Sequence, residues 1–187
     1  MATSSSAPST LSFRLLGSLE VGKDGHPVEI GGQKQRAVLA ILALNVGRVV
    51  STDRLVDLLW GDQAPKTAVT SLQNFVSQLR KALGADIVVT KAPGYLLNVT
   101  AERVDVNEFE RLVAESRSLE PEARAKKLRE ALDLWRGPPL ADFTFEPFAE
   151  NEIARLDELR SAAVEDRIEA ELEGGGGSKR PATPAEM

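Results

Sequence analysis

Between Pro65 and Leu83 the chain gathers Lys66, Thr67, Thr70, Asn74, Ser77, Gln78 and Lys81 along one side of a helical period. Ala68, Val69, Leu72, Phe75, Val76, Leu79 and Leu83 occupy the other side and read as a core stripe. The polar side holds amides, hydroxyls and two ammonium groups but no carboxylate, in a chain whose net charge is -5. A solvated helix face in an acidic chain would ordinarily mix both signs of charge. Asn and Gln pair with adenine edges, Lys with guanine or phosphate, and Ser and Thr with either, so this face suits the major groove of double-stranded DNA. For a helix in isolation the plain solvated face is the simpler reading; the neighbouring elements tip the balance toward a recognition helix.

Further candidates surround it. Gln33, Lys34, Gln35 and Arg36 open an earlier helix, where unpaired N–H groups and the positive dipole end favour anions. Lys91 precedes a Pro93-Gly94 turn and can bring a cation to a flanking phosphate or the minor groove. Gln73 and Arg80 flank the polar face and join Gln33, Lys34, Arg36 and Lys91 as candidate contacts to the DNA backbone or from the wing.

The residues for catalysis are not assembled. There is no cysteine, and the single histidine, His26, sits between Gly25 and Pro27 in an expected strand turn. Thiolate and histidine-cluster metal sites are thereby excluded, and no cofactor is implied. The carboxylates of the second half spread over amphipathic helices and form no isolated acid and base pair. Gly174 to Lys179 lacks the spacing of a phosphate-binding loop and runs into prolines rather than a helix. The chain reads as a binding protein and not an enzyme.

The elements that must position these residues follow from pattern and punctuation. Leu11–Leu16, Leu19–Gly22 and Val28–Ile30 are short segments separated by glycine-bearing turns, and predict a small antiparallel sheet. Gln33 to Asn45 carries Val38, Leu39, Ile41, Leu42 and Leu44 at helical spacing. Val49-Val50 allows one strand rung. Ser51 or Thr52 then caps a second helix that closes at Gly61, and Asp62-Gln63-Ala64 links it to the third, with Pro65 at the first helical position. Ile87–Thr90 and Tyr95–Val99 predict a hairpin across the Pro-Gly turn. Helix, turn, helix, hairpin is the order of a winged helix.

Beyond Asp105 the pattern is helical only: Val106–Ser118, Pro121–Trp135 and Pro147 to about Glu173, with Gly137-Pro138-Pro139 as a breaker. The expected fold is thus an α+β winged helix-turn-helix at 11–100 followed by an all-α, helical-repeat-like segment at 101–173. Residues 1–10 read as a disordered arm without the features of a secretory signal, and 174–187 as a flexible glycine-rich tail. Charge divides along the same line. Residues 11–100 hold 10 Lys and Arg against 7 Asp and Glu, a net +3, whereas 101–173 hold 11 against 20, a net -9. Only the first half suits a polyanion. The longest apolar run, Ala37–Leu44, is 8 residues, and a membrane span needs about 20. No membrane association is expected, and the lack of cysteine fits a reducing cytoplasm.

These residues carry a family resemblance. Arg36 and Leu39, the run Gly47-Arg48-Val49-Val50-Ser51, Leu55 with Leu59-Trp60-Gly61, Leu72-Gln73 through Leu79-Arg80, and Gly94-Tyr95-Leu96-Leu97 together resemble an OmpR-type winged helix. More narrowly, they resemble the AfsR/DnrI/RedD family, the Streptomyces antibiotic regulatory proteins. Asp105-Val106 with Phe109, Ala131-Leu132, Leu134-Trp135-Arg136-Gly137 and Pro139-Leu140-Ala141-Asp142 resemble the start of that family's bacterial transcriptional activation domain. The resemblance implies a cytoplasmic transcription activator that binds direct repeats near promoters and helps RNA polymerase engage; the modest net charge of +3 in the first half separately predicts two copies, a homodimer on direct-repeat DNA. By the same resemblance the third helix enters the major groove, the hairpin at Lys91 approaches the minor groove, and Gly61, Asp62, Gln63 and Ala64 offer a polymerase-contacting surface. The helical segment is shorter than the family's usual activation domain. The alternative is a protein-interaction module whose acidic helices dock a partner while the winged helix serves as scaffold.

Overall fold

The computed structural model describes residues 10–176. The expected N-terminal arm and all of the tail after Gly176 lie outside the described residues, apart from Thr10. Three strands open the fold: β1 (Leu11–Arg14), β2 (Glu20–Lys23) and β3 (His26–Pro27), antiparallel in that order. The third strand was expected at Val28–Ile30. Asp24 and Gly25 instead take positive φ of 53° and 82° and fold a two-residue turn that pairs Lys23 with His26 and Gly22 with Pro27. Ile30, released from the sheet, is buried in the core.

The winged helix follows. Helix α1 (Gln33–Leu44) buries every residue from Ala37 to Ala43, so it runs through the centre of the domain rather than along its surface. Strand β4 (Val50–Ser51) leads into α2 (Thr52–Trp60), where the Ser51 hydroxyl accepts the Arg54 N–H at 3.1 Å and caps the helix as expected. A 3-10 turn, Gly61–Gln63, precedes α3 (Ala68–Leu83). Strands β5 (Val88–Lys91) and β6 (Gly94–Leu97) form the wing, and β4 pairs with β6 so that the sheet order is β4-β6-β5. Gly94 is buried opposite Ser51, and a β-carbon there would overlap the Val50 carbonyl oxygen. Only glycine lets the wing lie this close to the start of α2.

The second half is α4 (Asp105–Ser116), α5 (Pro121–Leu132) and α6 (Pro147–Gly176). Helix α5 stops three residues before the expected Trp135. The chain then turns, with Leu134 N–H on Ala131 O and Trp135 N–H on Leu132 O. That turn swings the Trp135 indole edge-on against Phe109 at 5.3 Å, beneath the Arg160 guanidinium at 4.8 Å. Helix α6 is longer than expected and carries Gly174 to Gly176 within it. Arg124 to Asp166 (3.4 Å) and Arg129 to Glu171 (3.0 Å) bind α5 to α6.

The two halves differ in charge and pattern, yet their apolar side chains form one continuous core. The N-terminal sheet lies on the seam. Phe13 bridges Val104 in parallel, and the backbone after β1 is held almost entirely by the helical half. Leu15 N–H and Leu16 N–H donate to the two oxygens of buried Asp105 at 2.7 and 3.0 Å, and Leu19 N–H donates to Asp142 at 2.8 Å. In return Arg136 N–H donates to Leu16 O, Leu140 N–H to Leu15 O and Ala141 N–H to Gly17 O. A buried N–H without a partner costs free energy, so these carboxylates are structural requirements of the segment between β1 and β2.

Burial pushes the Asp105 carboxyl pKa up, against the opposing pull of the Leu15 and Leu16 N–H groups and the Arg136 charge. Its folded-state pKa therefore lies above the unfolded one. Stability linked to this group is complete below the unfolded value and is lost as pH rises through the folded value.

Three outcomes test this account. Asp105→Ala leaves two buried N–H groups unpaired, so urea unfolding should show a loss of roughly 3 kcal/mol or more and a single transition for both halves. Against Asp105→Asn, whose side chain stays neutral, wild type should lose relative stability as pH rises above about 3.9, read from urea melts across the acid range. Gly94→Ala should destabilise by at least about 2 kcal/mol through overpacking, seen as a lowered thermal midpoint.

Candidate nucleic-acid interface

Helix α3 is built to leave one face free. Ala68, Leu72, Val76, Leu79 and Leu83 point into the core, and Phe75 stacks on Trp60 of α2 with ring centroids 6.3 Å apart. Thr70, Gln73, Asn74, Ser77, Gln78 and Lys81 are all exposed. From Ala64 to Ala85 the sequence has no Asp or Glu, so the exposed face keeps its acid-free character in three dimensions.

Two expectations about this helix change. It starts at Ala68, not Pro65: Pro65 and Lys66 belong to the turn before it and Thr67 to its cap position. The Pro65 carbonyl accepts the Ala68 N–H at 2.9 Å, and exposed Lys66 and Thr67 flank the helix entrance rather than lying on its face. Val69, assigned to the core stripe, is 47% exposed. Ala68 takes the inward position of the first turn, which leaves Val69 on the flank shared with Gln73.

The candidate backbone contacts separate into two groups. Lys91 is exposed at the end of β5, opposite Gly94 at the wing tip. Gln73 is exposed on α3. The others are engaged by partners within the fold. Arg80 donates to Val88 O at 2.7 Å and Thr90 Oγ1 at 2.8 Å, so it fastens α3 to the wing. Lys34 donates to Leu59 O and lies over the Trp60 ring at 5.9 Å, completing the C-terminal end of α2. Arg36 donates to Leu19 O at 3.0 Å and pairs with Asp142, and Gln33 Nε2 donates to Asp142 O at 2.8 Å. At these positions an expected phosphate clamp is in fact the fastening between α1 and the helical half. The cause is local: carbonyl and carboxylate acceptors lie within reach inside the fold, and a cation satisfied there does not also serve a phosphate.

The sequence reading missed two positions. Thr52 N–H donates to Pro93 O at 3.1 Å, which sets the first turn of α2 beside the wing tip. Thr52 is half-buried and Arg54 is exposed there, the latter in a water-facing pair with Asp57 at 3.3 Å. The Ser51 cap was the available signal, since it fixes which residues form that first turn. Gly61, Asp62, Gln63 and Ala64 are exposed along the link between α2 and α3.

Among the described residues no group of His, Cys, Asp and Glu side chains is placed to hold a metal ion. The arrangement has an exposed helix face of amides, hydroxyls and cations, a wing at its side, and a rigid mount behind it. Chemically such a surface suits polar edges beside phosphates. No helix among the described residues is long and apolar enough to cross a membrane.

Comparison with known proteins gives this geometry a family. Residues 25–97 match the family described as transcriptional regulatory protein, C terminal, and residues 104–183 match the bacterial transcriptional activator domain. The chain is 37% identical over 177 residues to the regulatory protein DnrI of Streptomyces peucetius, covering 87% of this chain and 65% of DnrI. It is 34% identical over 170 residues to the regulatory protein AfsR of Streptomyces coelicolor, covering 88% of this chain and 17% of AfsR. Among solved structures, Mycobacterium tuberculosis EmbR in complex with a low affinity phosphopeptide superposes with a TM-score of 0.86 at 34% identity, over 89% of this chain and 47% of that one. The chain thus spans less than two thirds of each of these relatives. With a winged helix and an activator domain matched in sequence and in order, the chain belongs to the AfsR/DnrI/RedD family of transcriptional regulators.

Proposed function

We propose that the chain is a sequence-specific double-stranded DNA-binding activator that lays α3 in the major groove and brings Lys91 to the adjacent backbone or minor groove. The observation that carries this reading is the exposed acid-free face of α3, held on a rigid winged helix in an otherwise acidic chain. Thr70, Asn74, Ser77, Gln78 and Lys81 face base edges. Lys66, Thr67 and Gln73 border them, and Thr52 and Arg54 lie toward a phosphate strand.

Affinity for one half-site is modest by this account. With Lys34, Arg36 and Arg80 committed inside the fold, the free ammonium groups beside the groove reduce to Lys66, Lys81 and Lys91. So few cations beside the groove release few counterions. Two copies on direct repeats, spaced by about one helical turn of roughly 10 base pairs, supply the remainder. The linking surface Gly61–Ala64, exposed and next to the DNA-facing helix, is the part that recruits RNA polymerase, and the site of action is the cytoplasm. The helical half serves first as the mount for α1.

Binding measured against salt concentration separates the residues by role. Lys91→Ala should reduce the slope of log affinity on log salt by about 1, equally for preferred and random duplexes. Asn74→Ala should weaken the preferred duplex by roughly tenfold and leave the random one unchanged. Arg36→Ala should lower the melting temperature while leaving the salt slope intact. Unchanged binding in both Lys91→Ala and Asn74→Ala would exclude the DNA-reading role. With an Asp62→Ala, Gln63→Ala double substitution, transcription from a bound promoter should fall while promoter affinity holds.

A further inference from the structure

Val69 is the one large hydrophobic side chain exposed among the described residues of the winged-helix half; the others, Leu119, Phe145, Ile168 and Leu172, all lie in the helical half. It occupies the first turn of α3, the end of a recognition helix from which side chains reach base edges. Its neighbours on the open side are Thr70 and, one turn on, Gln73. About half of its surface is left open among the described residues, and the core position of that turn is filled by Ala68. An apolar, β-branched, rotamer-restricted group thus stands on the margin of an otherwise polar reading face.

The major groove presents one apolar group, the 5-methyl of thymine. We propose that Val69 is a specificity-determining residue that selects a thymine by packing its isopropyl group on that methyl, with Gln73 one turn on reading an adjacent base edge. The contact needs no hydrogen bond and excludes water from both surfaces. It gives α3 a preference its amides alone do not have, because a hydroxyl or amide at this place would accept cytosine as readily. The proposal rests on the groove-reading role of α3 and adds the base class read by its first turn.

Replacing thymine by deoxyuridine removes only the methyl and preserves every hydrogen-bonding group. The test uses the full chain and a duplex selected from a random-sequence pool, with each thymine replaced in turn and affinity read by fluorescence anisotropy. Wild type should lose about fourfold in affinity at one position, the worth of one buried methyl. Val69→Ala should bind the thymine duplex more weakly by a similar factor and be indifferent to uracil at that position. Val69→Thr, which keeps a γ-methyl at the same place, should retain the sensitivity. The substitutions change an exposed side chain, so the melting temperature should hold. A wild type indifferent to uracil at every position, or a Val69→Ala chain as sensitive as wild type, would overturn the thymine assignment and leave groove reading standing. Failure of the chain to enrich any sequence from the pool would overturn both.

Discussion

Everything in this fold hangs on how the backbone from Leu15 to Leu19 finds hydrogen-bond partners. The segment leaves β1 and crosses the seam before β2 begins, so its N–H groups have no neighbouring strand. Asp105 and Asp142, far along the sequence, provide the acceptors, and the backbone N–H groups of Arg136, Leu140 and Ala141 occupy its carbonyls. Two carboxylates held in low exposure are costly unless paired with such donors. Each half thereby satisfies a polar need of the other, and a continuous apolar core forms around the joint.

The same joint reaches the exposed face of α3 in short steps. Asp142 takes Arg36 from α1, and its carbonyl takes Gln33. The next residue, Lys34, completes the end of α2 and covers Trp60, whose ring stacks on Phe75 of α3. On the other side of α3, Arg80 is fastened to the wing. Helix α3 is therefore clamped along both flanks by side chains that turn away from its exposed acid-free face. Rigid placement of this kind reduces the ordering cost of binding.

Much of this was legible from residue pattern. The order of helices and hairpin, the Ser51 cap, the glycine stop at Gly84 and the change of grammar near Asp105 all follow from local rules, and local rules govern short-range structure. The misreadings have a common cause. Gln33, Lys34, Arg36 and Arg80 carry groups that suit phosphate and carbonyl equally, and what decides between them lies elsewhere in the sequence: Asp142 is 106 residues from Arg36, and Leu59 is 25 from Lys34. Val69 failed differently. A helical period locates a stripe but not which margin of it the neighbours cover, and a half-turn of disagreement moves an edge residue from core to surface. The third strand moved to His26-Pro27 because the Asp24-Gly25 turn fixes register more tightly than β-branched residues do. Trp135 left its helix because packing on Phe109 outweighs one more helical turn.

The seam also bears on how such a regulator changes its target. Because β1, α1 and the helical half share one set of hydrogen bonds, the winged helix is not a cassette that can be cut out and moved to another activator; a graft ending near Thr100 would lose Asp105 and Asp142 and leave the Leu15, Leu16 and Leu19 N–H groups without acceptors. The exposed polar side chains of α3, by contrast, make no side-chain hydrogen bond or ion pair among the described residues. Change by selection or by engineering is thus channelled into side-chain replacement on that one face, and what the face recognises can drift while the architecture stays put.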